Sequence, residues 1–309
     1  MSQPTVRIGV DLGGTKIEAV ALLGDRVLAR RRVPTPSGYE AILAAVRDLV
    51  DAVEAEVGDG VRRATIGIGT PGALSPVSGL LENANTTALN SRALDVDLAA
   101  ALGRRVILEN DANCLALSEA SDGAAAGASS VFAAILGTGV GGGLVFGGQL
   151  VRGPNALAGE WGHNPLPWAD AWERPGPHCY CGKRGCIETF LSGAGVTREF
   201  LLRTGHHLDA VAIAELAKQG EPNAKATLVL FAERLARALA TLINVFDPEV
   251  IVLGGGLSNL ASLYNDVPAR WGRWAFVGSG RGGQLLTRLL PARWGDSSGV
   301  RGAARLVAG

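Results

Sequence analysis

The chain opens on alternation. Val6, Ile8, Val10 and Leu12 are apolar and share one face of a period-two pattern, which predicts a strand over residues 5–12. Gly13-Gly14 turns the chain into a second strand, Ile17–Leu22, and Gly24-Asp25 turns it into a third, Val27–Val33. An antiparallel meander is expected. The period then changes: within Ser37–Val57, Ile42, Val46, Leu49, Val50, Val53 and Val57 recur at helical spacing. Two short apolar runs, Thr65–Gly69 and Val106–Glu109, predict buried strands, and a helix is expected from Asn110-Asp111 towards Ala120. A second strand–turn–strand follows, with Val131–Leu136, a glycine turn over 137–143 and Leu144–Phe146. The glycine hairpin at Gly13-Gly14-Thr15 thus has a partner at Gly137-Thr138-Gly139, as in a duplication that sets two similar halves face to face.

Residues 161–186 break the pattern with three Trp, several Pro and three Cys, which suits an ordered insertion. Helical spacing resumes beyond them and is longest over Ala224–Phe246. An apolar strand, Val250–Leu253, then ends in Gly254-Gly255-Gly256. A last helix is expected after Asp296-Ser297-Ser298, whose side chains offer N-cap oxygens.

With 309 residues, 47% of them hydrophobic and 19% charged, the chain has the means for a sizeable core in one large or two ordinary domains. Lys+Arg and Asp+Glu are both 29, so no bulk attraction draws it to nucleic acid or to an anionic membrane. Arg30-Arg31-Arg32 reads as the solvated end of a strand. No run approaches the roughly 20 apolar residues of a membrane span. Met1–Val10 lacks the layout of a signal peptide, so a cytoplasmic protein is expected. Three of the four Cys fall between Cys179 and Cys186, and clustered thiols in a reducing compartment point to metal.

The glycine loops carry the first chemistry. In Asp11-Leu12-Gly13-Gly14-Thr15-Lys16, two glycines allow backbone N–H groups to approach phosphate oxygens, Thr15 adds a hydroxyl, and Asp11 suits a magnesium ion held through water. An ordinary hairpin turn uses the same residues. Gly137-Thr138-Gly139-Val140-Gly141-Gly142-Gly143 fits G-x-G-x-x-G, yet a strand follows where a dinucleotide fold needs a helix. No G-x-x-x-x-G-K-[ST] occurs, which excludes a P-loop. A pair of phosphate hairpins from two facing halves remains. Asn110-Asp111 stands where a strand gives way to a helix, the place where ligands gather in α/β folds. There Asp111 is either a base that takes a hydroxyl proton, with Asn110 orienting the same substrate, or a helix N-cap.

The third constellation joins Glu160-Trp161-Gly162-His163 to Cys179-x-Cys181-x₄-Cys186. Three thiolates and one imidazole make a closed, structural zinc site. The fourth ligand is His163 or His178 by spacing alone.

Together Asp11–Lys16, Glu109-Asn110-Asp111-Ala112-Asn113, Gly137-Thr138-Gly139, Glu160-x-Gly-His163 and the cysteine block through Glu188 resemble the ROK family, in order from residue 7 to Gly302-Ala303. The resemblance implies an α/β fold of the actin-like ATPase and sugar kinase (ribonuclease H-like) type, with two domains, a cleft between them and a zinc-stabilised insertion. The expected division is 1–119 with a C-terminal helix over 297–309, and 120–296 with the zinc motif at 160–188. The resemblance implies Asp111 as the base, with Asn110, Glu160, His163 and Glu188 on the sugar hydroxyls. MgATP is implied as co-substrate, on Asp11, Gly13, Gly14, Thr15, Lys16, Gly137, Thr138 and Gly139, with adenosine at Gly254-Gly255-Gly256. A homodimer is implied too. Asn83-Ala84-Asn85-Thr86-Thr87, Trp161–Trp168 and Gly295–Ala303 are most similar to bacterial fructokinases of the manno(fructo)kinase type. D-fructose phosphorylated at O6, with mannose beside it, is therefore the expected reaction, and Asn85 joins the expected sugar ligands. Glucose and N-acetylglucosamine kinases of the same family share the catalytic and zinc motifs. The family's repressors carry an N-terminal helix-turn-helix, for which a phosphate motif starting at Asp11 leaves no room.

Overall fold

The computed structural model describes residues 5–58, 65–278 and 284–307. Residues 1–4 and 308–309, which open and close the expected division, lie outside the described residues. The first half runs β1 (Val6–Leu12), β2 (Lys16–Leu23), β3 (Arg26–Pro34), α1 (Tyr39–Val57), β4 (Ile66–Thr70), β5 (Ala73–Leu74), β6 (Leu81–Glu82), α2 (Leu94–Leu102), β7 (Val106–Asn110) and α3 (Asp111–Ser121). Next come β8 (Ser130–Leu136), β9 (Val140–Phe146) and β10 (Gln149–Leu150), then an irregular arm. The chain continues through α4 (Glu188–Leu191), α5 (Gly193–Thr204), α6 (Ala210–Lys218), α7 (Pro222–Phe246), β11 (Val250–Gly254), α8 (Leu263–Asp266), α9 (Pro268–Trp271), β12 (Arg288–Pro291) and α10 (Ser298–Arg305).

The expected duplication is visible in the strand orders. One five-stranded sheet runs β3-β2-β1-β4-β7 and the other β10-β9-β8-β11-β12. In each, an antiparallel meander is extended by two parallel strands. The two glycine hairpins occupy equivalent places, β1–β2 and β8–β9. They close alike, Gly13 N–H on the Lys16 carbonyl and Gly137 N–H on the Gly139 carbonyl, both at 3.0 Å.

Each sheet has its own core. Helix α1 lays Ile42, Val46, Leu49, Val50 and Val53 against Ile8, Val10, Ile66 and Ile68. Each such side chain contributes on the order of 1.5–3 kcal/mol when fully buried. The second core is built on α7, whose Leu235 and Leu239 pack with Phe132 and Ile251. Residues 111–119, expected in the first half, begin α3, and its Leu115 and Ala116 pack with Val131 and Val252 of the second sheet. Helix α10 returns to the first sheet, where Val300 and Ala304 meet Val20 and Leu22.

Three local expectations are corrected. The glycine turn ends at Gly139, and Gly141, Gly142 and Gly143 belong to β9. Their lack of side chains serves packing: a Cβ on Gly142 would lie 2.6 Å from the Phe132 ring, and one on Gly143 would lie 2.5 Å from the Ala112 carbonyl. The Asp296-Ser297-Ser298 oxygens do not cap α10. Ser298 Oγ donates instead to the buried Glu119 carboxylate at 2.7 Å, and Lys16 binds Asp296 at 2.8 Å. The arginine run is not simply solvated. Arg30 and Arg32 both bind Glu18, which is 1% exposed, and Arg31 reaches Glu56 at 2.8 Å.

The arm over 160–188 is fixed to α7 by a buried ion cluster. Glu173 accepts from Arg234 at 2.8 Å and from Arg237 at 2.9 Å, and all three are buried. Burial alone would raise Glu173, but the hydrogen bonds from Arg237 and Arg234 outweigh it and hold the carboxyl below its usual value. Removing one partner of a buried ion cluster costs about 3–5 kcal/mol. Glu173→Gln is therefore expected to lower unfolding free energy by that amount in urea titration.

Candidate active site

Strand β7 ends on Asn110 and α3 starts on Asp111. Asn110 is the N-cap: its Oδ1 accepts the Ala112 amide at 2.9 Å and the Asn113 amide at 3.4 Å, while its Nδ2 donates to the Gly72 carbonyl at 3.1 Å. The capping alternative for Asp111 is thereby corrected, since its neighbour fills that role. Asp111 keeps one bond of its own, from the Ala112 amide at 2.8 Å, and lines a cavity of about 130 Å³. Burial pushes the Asp111 carboxyl up to about 6, the Ala112 amide opposes this, and the charge of Glu160 adds to it.

The same cavity is lined by Asn85, Asn110, Gly139, Glu160, His163 and Glu188, all expected, and by Asn83 and Tyr180, which sequence reasoning missed. Glu160 is raised by burial, offset in part by His163, with Glu188 adding to the rise. Glu188 Oε2 accepts the Val140 amide at 3.0 Å, just beyond the second glycine turn. The arm and the hairpin are thus locked together.

Glu109 braces the start of α3. Its Oε1 accepts the Asn110 amide at 3.0 Å and the Asn113 side-chain amide at 2.9 Å, and its Oε2 binds Arg152. Arg152 lies in the segment that leads to Glu160, so one carboxylate ties together the two stretches that deliver Asp111 and Glu160. The pairing spans 43 residues and leaves no local trace in the sequence.

His163, not His178, joins Cys179, Cys181 and Cys186 in a group whose ligand atoms all lie within 4.8 Å of one another. His163 Nδ1 is 3.5 Å from Cys179 Sγ, and the Cys181 and Cys186 sulfurs are 3.6 Å apart. A tetrahedron with Zn–S bonds of about 2.3 Å has edges of roughly 3.8 Å, so this donor set fits zinc in both chemistry and size. The other ring nitrogen, Nε2, meets the Tyr180 hydroxyl at 3.0 Å. The Trp161–His163 turn is held by the Trp161 indole N–H on the Gly141 carbonyl at 2.8 Å, and a Pro165–Cys186 bridge closes the arm.

Gly14, Thr15, Asn85 and Thr138 line an adjoining cavity of about 660 Å³. Burial first, then Asp111 and Glu18, push Asp11 up to about 7. Such an acidic pair fits a divalent cation. Gly254, Gly255 and Gly256 stand at the end of β11, outside the Asp111 cavity. Gly255 has φ 81°, and a Cβ there would lie 2.5 Å from the Leu136 carbonyl, next to the second glycine hairpin.

Among the described residues, no helix is long and apolar enough to cross a membrane. The ROK family model matches residues 7–309. An N-acetyl-D-glucosamine kinase of Vibrio parahaemolyticus is 39% identical over 306 residues, 96% of this chain and 98% of that protein. The structure of a ROK hexokinase from Thermus thermophilus superposes with a TM-score of 0.84 at 34% identity, covering 97% of each chain. A ROK glucokinase from Streptomyces griseus, in complex with glucose and AMPPNP, gives 0.81 at 30% identity, covering 98% of this chain and 99% of that one.

Proposed function

The chain belongs to the ROK family, and from that premise we propose that it is an ATP-dependent sugar kinase that phosphorylates O6 of N-acetylglucosamine. The observation that carries this reading is one cavity, bordered by the second glycine hairpin and adjoining a cavity that both hairpins line, that holds Asp111 together with Asn110, Glu160, His163 and Glu188. N-acetylglucosamine displaces the fructose first expected, because the Vibrio relative bears that name at 39% identity. The fructose expectation rested largely on Trp161–Trp168. Of those residues only His163 lines the Asp111 cavity. Trp161 packs edge-on against Phe132, and Trp168 stacks on Trp274 with ring centres 5.4 Å apart.

In the mechanism, Asn85, Asn110, Glu160, His163 and Glu188 hold the sugar hydroxyls and place O6 beside Asp111. Gly13, Gly14, Thr15, Gly137, Thr138 and Gly139 present amides and hydroxyls to the ATP phosphates, Lys16 exchanges Asp296 for them, and Gly254, Gly255 and Gly256 let adenosine approach the backbone. Asp11 would hold magnesium, which neutralises phosphate charge. O6 attacks the γ-phosphorus, the bond to the ADP oxygen breaks, and Asp111 takes the O6 proton late in the transfer. His163, Cys179, Cys181 and Cys186 would hold zinc, which stiffens the arm. The halves that close on the substrates are those expected, 1–119 with the C-terminal helix from 297 and 120–296, with α3 at their boundary packed on the second sheet.

A base works only when deprotonated. With Asp111 pushed up to about 6, kcat/KM is expected to fall about tenfold per pH unit below that value and to level off above it. A pH–rate profile flat down to pH 4.5 would remove Asp111 from the rate law. Substrate choice is tested by coupled ADP release with N-acetylglucosamine, glucose, mannose and fructose. The expected result is the highest kcat/KM for N-acetylglucosamine. A higher value for fructose would restore the first expectation, and sugar-independent ADP release would sink the kinase reading.

A further inference from the structure

The Asp111 cavity borders a second one of about 670 Å³, and the two share Asn83, Glu160, His163 and Tyr180. Asn110, Asp111 and Glu188 line only the first, so the second lies beyond Glu160 on the side away from the base. Its walls are mostly apolar: Phe132 and Trp161 within, Leu242 and Phe246 from the end of α7, and Leu157 and Val245 exposed at its mouth. Its polar groups are Asn83, Glu160, His163 and Tyr180 at the junction, with Asn164, Cys181 and Lys183 lining the second cavity alone. Asn83 sits at φ 62°, a left-handed conformation that asparagine adopts more readily than most non-glycine residues. Apolar walls with a few polar groups at one end are the usual make-up of a small-molecule site.

With O6 held at Asp111, as the kinase reading requires, the opposite edge of the pyranose ring, which carries C2, would face Glu160 and His163. A substituent on C2 would then be directed at the second cavity. We propose that this cavity receives the 2-acylamino chain of the substrate, and that the substrate class is N-acylated hexosamines with chains extending beyond acetyl. The inference rests on the kinase reading above. The amide of the chain meets the polar junction and the alkyl tail meets the apolar walls. An acetyl group supplies one methyl, which leaves most of the 670 Å³ for a longer tail.

The test is a chain-length series of N-acetyl-, N-propanoyl- and N-butanoylglucosamine. Dissociation constants are measured by calorimetry without ATP, and kcat/KM by ADP release. Each added methylene is expected to tighten Kd by about two- to fourfold, with kcat/KM for the butanoyl sugar no lower than for the acetyl sugar. Weakening by tenfold or more per methylene would mean a closed wall and would overturn the proposal. Calorimetry reads the cavity alone, so its outcome stands whether or not phosphoryl transfer is observed. In Leu242→Trp, which narrows the cavity, the butanoyl-to-acetyl ratio of affinities is expected to fall at least tenfold. An unchanged ratio in the folded variant would place the chain elsewhere.

Discussion

Asp111→Asn is expected to lower kcat by about 10²–10⁴-fold, the range for loss of a general base, while sugar affinity changes by no more than a few fold. The exchange is nearly isosteric and removes only the capacity to accept a proton. The N-cap of α3 survives, because Asn110 makes it. Burial already disfavours the charged form of Asp111. A neutral amide in its place relieves that cost, so the melting temperature is expected to hold or rise. Loss of turnover in a protein of equal or greater stability, with calorimetric sugar binding intact, separates chemistry from folding. Turnover within tenfold of the parent would mean that another group accepts the proton.

Cys186→Ser is expected to lower kcat/KM by more than about 100-fold by a different route. Shell residues that orient ligands around a metal typically cost 10–100-fold when lost, and here one ligand of the proposed zinc site is removed. Cys186 is 1% exposed, pairs with Pro165 across the arm, and stands next to Ile187, whose N–H binds the Asn164 carbonyl at 2.8 Å. Loss of the proposed zinc would therefore free Glu160, His163 and Glu188 together. Zinc content is expected to fall from one atom per chain to a small fraction, with KM for the sugar rising more than KM for ATP. Asp111→Asn should keep its zinc, so the two variants give opposite signatures. Full activity in protein stripped of zinc by a chelator would show that the arm holds its shape without metal.

Much of the fold was legible because its period is local. The alternation of Val6 to Leu12 and the helical spacing of Ile42 to Val57 each map onto the predicted element within a few residues. The paired glycine hairpins and the cysteine spacing carried most of the candidate site in the same way. What escaped notice depends on distance. Helix α2 is short and mostly Ala, Leu and Asp, and β12 is four residues beside a segment without periodicity. Glycines 141–143 look like a loop in sequence, and only the approach of Ala112, Phe132 and Trp161 explains them inside a strand. The arginine run looks solvated until Glu18, 12 residues from Arg30, is found buried beneath it. Tyr180 is a spacer between two cysteines until His163 folds back onto its hydroxyl. His163 and His178 could not be ranked by spacing, and closure of the arm separates them.

The proposed function requires phosphoryl transfer from ATP to O6 of a 2-acetamido sugar within the Asp111 cavity. The most direct measurement is proton–phosphorus correlation NMR of a reaction containing the protein, N-acetylglucosamine, ATP and magnesium. A phosphate coupled to the C6 protons, formed in step with ADP and absent with Asp111→Asn, is the expected result. ADP accompanied only by inorganic phosphate, or a phosphate coupled to the C1 proton, would contradict it.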